Sequence, residues 1–260
     1  MKVVILCGGL GTRLREETEF RPKPMVEVGG RPILWHIMKT YAHHGFREFV
    51  LCLGYRGSVI KDYFLNYEAM NNDFSICLGQ KSQVHYHGLH TEQGFSVTLA
   101  DTGLDTMTGG RIARIQKYID GDTFLLTYGD GVANIDVRSL VEYHKSHGKI
   151  ATVTTVNAVS RFGMLDLSGE DKVNCFMEKP SNDGWISAGY FVLNREVFNY
   201  LGGDDCIFER QPLERLANAG QLMAYRHPKF FYPMDTYRDY QHLNELWRTG
   251  EAPWRVWNHA

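Results

Sequence analysis

Residues Val3 to Leu14 read V-V-I-L-C-G-G-L-G-T-R-L, and no other stretch constrains the fold as strongly. Val3, Val4, Ile5 and Leu6 form a short, mostly β-branched run, the pattern of a strand covered on both faces in a parallel sheet. Gly8, Gly9 and Gly11 follow at once and let the backbone turn sharply and approach a ligand. Backbone N–H groups turned inward in such a loop form a nest for phosphate oxygens. Arg13 adds a planar cationic fork suited to phosphate. The expectation is a phosphate or nucleotide site at the carboxyl end of the first strand, with an ordinary glycine turn as the alternative. Two common phosphate loops do not fit. The P-loop needs Lys then Ser or Thr after its last glycine, but Thr12 and Arg13 follow Gly11. The dinucleotide fingerprint needs a glycine where Leu14 stands.

Strands and helices then alternate. A helix is expected over 32–44, with Pro32 in its first turn and Gly45 as its stop. A second strand is expected at 49–53. Ser58 can cap a helix to about Glu68. Strand 95–99, helix 110–119 and strand 123–127 follow, then a helix from an Asp136 cap to His147 and a strand at 150–156. This order implies an α/β fold with a doubly wound sheet and crossover helices. After about residue 157, strand-like segments succeed one another (164–167, 173–177, 186–193), with helices near 209–219 and 237–248. One domain is expected, its two portions sharing a core. Residues 1–156 form its nucleotide-binding portion, and 157–260 form a second lobe that completes the sheet and lies over the site.

The chain has 260 residues, enough for one large α/β domain, and 43% are hydrophobic. The formal net charge of -2 offers no basic footprint for nucleic acid. No apolar run has the length of a membrane span, and Met1 leads straight into the first strand, leaving no room for a signal peptide. The five cysteines are widely spaced, without a C-x-x-C pair, and are expected to be reduced, mostly buried thiols in a cytoplasmic protein. Cys7 is expected to be a small buried side chain rather than a nucleophile. Residues 71–94 form a polar insertion carrying His85, His87 and His90. An exposed hairpin or loop is favoured there over a metal site, since no acidic or cysteine partner stands at ligand spacing. The insertion could also be a lid or an oligomer contact.

Five further segments carry chemistry. In Pro22-Lys-Pro-Met25 two prolines stiffen the chain and hold Lys23 extended, near enough to the nest to neutralise a phosphoryl group. Gly129-Asp130-Gly131 lies at a strand's carboxyl end, where open α/β sheets bind ligands and a carboxylate can reach a phosphate-bound Mg²⁺. Asp235, in Met234-Asp-Thr236, is either a helix cap or a second Mg²⁺ carboxylate. Glu178-Lys-Pro180 offers a hydroxyl acceptor and a phosphate cation, or a plain solvated strand end. Thr108-Gly-Gly-Arg111 opens a helix and could hold a base or an anion.

In this order G-G-L-G-T-R-L, P-K-P-M, G-D, E-K-P and M-D-T resemble the sugar-1-phosphate nucleotidyltransferases over nearly the whole chain. Four stretches, Pro22–Trp35, Asp101–Arg111, Thr127–Val132 and Pro233–Asp239, bring it nearest to the cytidylyl branch acting on glucose 1-phosphate. The resemblance implies a Rossmann-like, doubly wound mixed sheet of the GT-A-like kind, with a smaller sugar-binding lobe. It implies Mg²⁺-dependent condensation of CTP with glucose 1-phosphate, giving CDP-glucose and pyrophosphate. Leu6, Gly8, Gly9, Leu10, Gly11, Thr12, Arg13, Lys23 and Gly129 would bind the nucleotide, with Thr108, Gly109, Gly110 and Arg111 near the base. Arg13, Lys23 and Asp130 would be catalytic. Asp130 and Asp235 would hold Mg²⁺. Tyr128, Gly163, Glu178, Lys179 and Gly189 would hold the sugar phosphate. Ser187-Ala-Gly189 stands where the family carries Asn-Gly-Gly, which bears on the hexose. The alternatives are dTTP or UTP, another sugar 1-phosphate, or a non-catalytic nucleotide-sugar sensor. The family also implies a homo-oligomer, to which Trp247, Trp254 and Trp257 could supply an interface, and a role in a bacterial surface polysaccharide such as the lipopolysaccharide O-antigen.

Overall fold

The computed structural model describes residues 1–79, 83–157 and 184–257, with the backbone of the hairpin strands Met164–Ser168 and Lys172–Met177. Seven strands form one sheet: β1 (Val3–Leu6), β2 (Glu48–Leu53), β3 (Ser96–Asp101), β4 (Thr123–Tyr128), β5 (Ala151–Asn157), β6 (Trp185–Asn194) and β7 (Leu222–Arg226). Their spatial order is β7-β5-β6-β4-β1-β2-β3. The right side, β4-β1-β2-β3, is parallel, whereas β6 runs antiparallel to both β4 and β5. The sheet therefore crosses the boundary expected near residue 156, and strands from both portions share it.

β1 shows why the sheet is covered on both faces. Val3 and Ile5 join one buried layer, and Val4 and Leu6 join the other. Successive strand side chains alternate faces, so an unbroken apolar run demands helices on each side. The first layer takes α1 (Ile33–His43), whose Ile33, Leu34, Ile37 and Tyr41 are fully buried at helical spacing. The second takes Ile112 from α3 (Thr108–Arg114) and Leu216 from α5 (Gln211–Asn218).

Some boundaries shift. The helix expected over 58–68 is α2 (Gly57–Leu65) followed by a separate turn of helix, Tyr67–Asn71, and Ser58 provides no cap. The helix expected over 110–119 ends at Arg114 and passes into a 3₁₀ turn at Gln116–Tyr118. α4 (Val137–His147) follows the expected Asp136 cap, whose side chain accepts from the Ser139 N–H. The insertion contains an exposed hairpin, Phe74–Ile76 with Val84–Tyr86. His90 has acidic partners after all: Glu68, 2.8 Å away, and Glu92. Among the described residues no group of three or more His, Cys, Asp or Glu is placed to hold a metal ion. Cys7 and Cys52 are buried, but Cys77 is exposed and Cys206 half-buried, so among the four cysteines whose side chains are described the expectation of mostly buried thiols holds for two.

The C-terminal tryptophans pack inward, Trp254 fully buried and Trp247 and Trp257 half-buried. The Trp254 indole N–H donates to His36 Nδ1 at 3.3 Å. Trp247 and Trp257 pack their rings against His36 as well. Indole nitrogen is a donor only, so Nδ1 is the acceptor and the His36 proton sits on Nε2, 2.8 Å from Val28 O. Burial lowers the pKa of His36 to about 4. The unfolded chain therefore binds a proton between pH 6.5 and 4 that the folded chain refuses. The contribution is complete above pH 6.5 and falls by roughly 3 kcal/mol as pH drops to 4. Urea unfolding at pH 7 and 4.5 should show a smaller acid loss in His36→Gln than in wild type. Equal losses would place the acid sensitivity elsewhere.

Candidate active site

The site follows from the register of three parallel strands. Leu6, the last residue of β1, lies beside Cys52 of β2 and Tyr128 of β4. The loops after these strands therefore leave the sheet together. The segments after β1 and β4, with the one that follows β3, enclose a cavity of about 320 Å³ lined by Leu6, Cys7, Gly8, Gly9, Gly11, Thr12, Arg13, Lys23, Pro24, Thr106, Met107, Thr108, Arg111, Tyr128, Gly129 and Asp130. Most of the residues expected at the nucleotide are thus brought together. A second cavity of similar size lies beside the edge strand β3, lined by Trp35, Tyr63, Phe64 and Tyr67, and holds none of the expected site residues.

The polar centre is an ion cluster. Lys23 Nζ donates to Asp130 Oδ2 and Asp235 Oδ1, each at 2.7 Å. Arg13 Nη1 donates to the other oxygen of Asp235 at 2.9 Å. The Lys23 side chain is only 9% exposed, whereas that of Arg13 is 71% exposed. Lys23 is not held extended as expected. Pro22 is extended, but Lys23 opens a 3₁₀ turn over Lys23–Met25, closed by Val26 N–H to Lys23 O. That turn buries the lysine stem and aims its ammonium at the carboxylates.

Asp130 and Asp235 are far apart in sequence and meet through backbone pairing. The strand Phe231–Pro233 pairs antiparallel with Gly131–Ala133, and Met234 N–H donates to Asp130 O. Asp235 is not the helix cap. Thr236 caps α6 (Tyr237–Arg248) in a reciprocal box with Asp239. Because Thr236 and Asp239 satisfy the helix end, the Asp235 carboxylate is left for Lys23 and Arg13. Two carboxylates held to one cation fit a Mg²⁺ site, since that ion takes one or two carboxylates with phosphate oxygens completing its shell.

Arg111 has a role that sequence spacing did not reveal. It is buried, and its two terminal nitrogens are bonded to Gly8 O, Leu53 O, Thr102 Oγ1, Gly103 O and Leu104 O at 2.7–3.1 Å. These donors pin the glycine loop to the loops after β2 and β3. A Cβ on Gly8 would lie 2.2 Å from Arg111 Nη1, so only glycine allows this close approach. Gly109 and Gly110 donate their N–H groups to Cys206 O and pack on the 203–206 loop. They line no part of the cavity, and the helix end they form has its donors engaged. Thr108 does line it. Leu10 is exposed on the outer side of the loop, beside Arg15 and Tyr55.

Of the residues expected at the sugar phosphate, Tyr128 lies over Gly189, whose backbone has φ 74° and whose added Cβ would meet the ring at 2.3 Å. Ser187 Oγ accepts from the Gly189 N–H at 3.2 Å, so the serine at the position of departure braces this turn. Burial, followed by the charge of Glu209, raises the Tyr128 pKa, so its hydroxyl stays protonated and donates to Glu209. Glu209 also accepts from Thr108 Oγ1 at 2.6 Å. It joins the two sides of the site and was missed in sequence because nothing local distinguishes it. Thr106 and Met107 were also missed, although they lie within the stretch Asp101–Arg111 that carries the family likeness. Gly163, Glu178 and Lys179 lie outside the described residues. Cys7, though in the cavity wall, has its thiol pKa pushed well up by burial and by Cys52, which suits the packing role expected of it.

A glycine contrast tests this construction. Gly8→Ala should cost roughly 1–3 kcal/mol through overpacking against Arg111. Gly9→Ala meets no atom within 4 Å and should leave the unfolding temperature nearly unchanged. Thermal unfolding of both variants checks this, and equal losses would refute the Arg111 clamp.

A family model described as Nucleotidyl transferase matches residues 2–235. The chain is 49% identical to glucose-1-phosphate cytidylyltransferase of Salmonella typhi, covering 99% of this chain and 100% of that one. It is 46% identical to the probable glucose-1-phosphate cytidylyltransferase of Bacillus subtilis strain 168, covering 99% and 100%. The solved structure of HddC from Yersinia pseudotuberculosis complexed with GMP-PN is similar with a TM-score of 0.70 at 25% identity, covering 95% and 99%. The chain belongs to the nucleotidyl transferase family and groups there with the glucose-1-phosphate cytidylyltransferases.

Proposed function

We propose that this protein condenses CTP with glucose 1-phosphate to give CDP-glucose and pyrophosphate. The observation that carries this reading is identity of 46–49% over the full chain to proteins bearing that name, together with the Lys23–Asp130–Asp235 cluster in the cavity wall. A phosphate oxygen of glucose 1-phosphate attacks the α-phosphorus of CTP, and the bond from that phosphorus to the β-phosphate bridge oxygen breaks. The nucleophile is already an anion near neutral pH, since the second pKa of a phosphomonoester is about 6. No general base is required, so the protein's work is to align two polyanions and spread the charge of an in-line transfer.

Each side chain then has a task. Gly8, Gly9, Gly11 and Thr12 offer the loop to the triphosphate, and the exposed Arg13 can swing onto it. Lys23 neutralises charge at the α-phosphate or the departing pyrophosphate. Asp130 and Asp235 would hold Mg²⁺, which supplies further neutralisation and orients phosphate oxygens when bound. Thr108 and the backbone near it face the base, while Tyr128 and Gly189 form the sugar-side wall. Glu178, Lys179 and Gly163 complete the sugar-phosphate site in this reading. Among the described residues no helix is long and apolar enough to cross a membrane. We place the enzyme in the cytoplasm as a homo-oligomer supplying activated glucose for surface polysaccharide.

Pyrophosphate release with glucose 1-phosphate, Mg²⁺ and each of CTP, UTP, dTTP, ATP and GTP tests the reaction. CTP should be preferred. Asp130→Ala and Asp235→Ala should each lower the rate by roughly 10²–10³-fold or more while leaving the protein folded, on the scale of losing a major electrostatic contributor. Full activity in both variants would remove the metal assignment. Preference for another nucleotide would replace the base while keeping the mechanism.

A further inference from the structure

Lys23 and Arg13 occupy the same carboxylates that the proposed function gives to Mg²⁺. Both oxygens of Asp235 accept from these cations, Asp130 shares Lys23, and every contact is 2.9 Å or shorter. The two positive side chains cancel the two negative ones locally. A dication approaching this cluster would meet little net attraction and would face an ammonium already seated between its ligands. The carboxylates also stand 2.7 Å from Nζ, whereas Mg²⁺ needs oxygens at about 2.0–2.1 Å, so they must draw inward before they can hold it.

We infer that Lys23 is an internal place-holder for the metal, closing the Asp130–Asp235 site until a nucleotide triphosphate draws Lys23 away. This rests on the proposed metal site and adds an order of events to it. The polyphosphate gives Lys23 and Arg13 a better anionic partner, and their departure uncovers the two carboxylates. Arg13 is free to leave first because its side chain is mostly exposed and pairs only with Asp235 among the contacts of this cluster. Lys23 is buried and holds both carboxylates, so its movement is the step that opens the site. The arrangement keeps the two acids from repelling each other in the empty enzyme and couples metal capture to nucleotide capture.

The test is binding of Mn²⁺ alone, followed by electron paramagnetic resonance and by thermal unfolding. Wild-type protein should bind Mn²⁺ weakly without nucleotide. Lys23→Met retains the buried stem but removes the charge, and should bind Mn²⁺ at least about tenfold more tightly without nucleotide. Mn²⁺ should also raise its unfolding temperature while leaving that of the wild type unchanged. Lys23→Arg should resemble the wild type, since it keeps a cation in place. A purely structural lysine would lower the unfolding temperature of Lys23→Met equally with and without Mn²⁺, and that result overturns the inference. Tight nucleotide-free binding by the wild type overturns it too, while leaving the metal site standing. If Asp130→Asn binds Mn²⁺ in the presence of CTP as tightly as the wild type does, the metal site itself fails, and the place-holder with it.

Discussion

Two carboxylates gathered on one buried ammonium is the interaction on which the site depends. Asp130 and Asp235 would repel each other at this distance, and Lys23 makes their approach possible. Much of the fold serves to bring the three together. β4 delivers Asp130 just past its carboxyl end, and the pairing of Phe231–Pro233 with Gly131–Ala133 carries Asp235 to it. The 3₁₀ turn after Pro22 presents Lys23 from a third direction. Because the anchor points are a strand end, a paired backbone and a proline-stiffened turn, the side chains need little ordering at the moment of binding.

Around this centre the molecule separates contact from support. Arg13 and Lys23 face the cavity with charge that can be transferred to a ligand. Arg111 spends its charge on carbonyl oxygens and so fixes the walls, a use for which the flat, multi-donor guanidinium is suited. Burial lowers its pKa without threatening its charge, given how far above neutrality it starts. Glu209 does related work across the mouth of the site by accepting from both Tyr128 and Thr108. A residue of the right type in the right motif can therefore hold the binding site rather than the ligand.

Most elements were legible because their signals are local. The β-branched run before Gly8, the stripe of Ile33, Leu34, Ile37 and Tyr41, and the Asp136 cap each depend on neighbours within a few residues. Ambiguity arose where distant segments decide. Asp235 reads equally as a cap or a metal carboxylate until Thr236 and Asp239 are seen to form the capping box together. The tryptophans of the C-terminal segment resemble surface aromatics until His36 and α1 are placed beneath them. His90 lacks a partner by spacing and finds Glu68 and Glu92 in space.

The amino-acid sequence by itself determined the α/β class, the strand-to-glycine loop at the carboxyl end of the sheet, and most of the residue types that line the cavity there. Those properties follow from backbone freedom and periodic burial, which act over short stretches. Only the tertiary structure decided that Lys23 lies between Asp130 and Asp235, that Arg111 is consumed by carbonyls, and that Gly109 and Gly110 support a neighbouring loop. Charge pairing and hydrogen-bond saturation depend on which groups arrive within about 3 Å of one another. That distance is set by strand order, register and turns far removed along the chain.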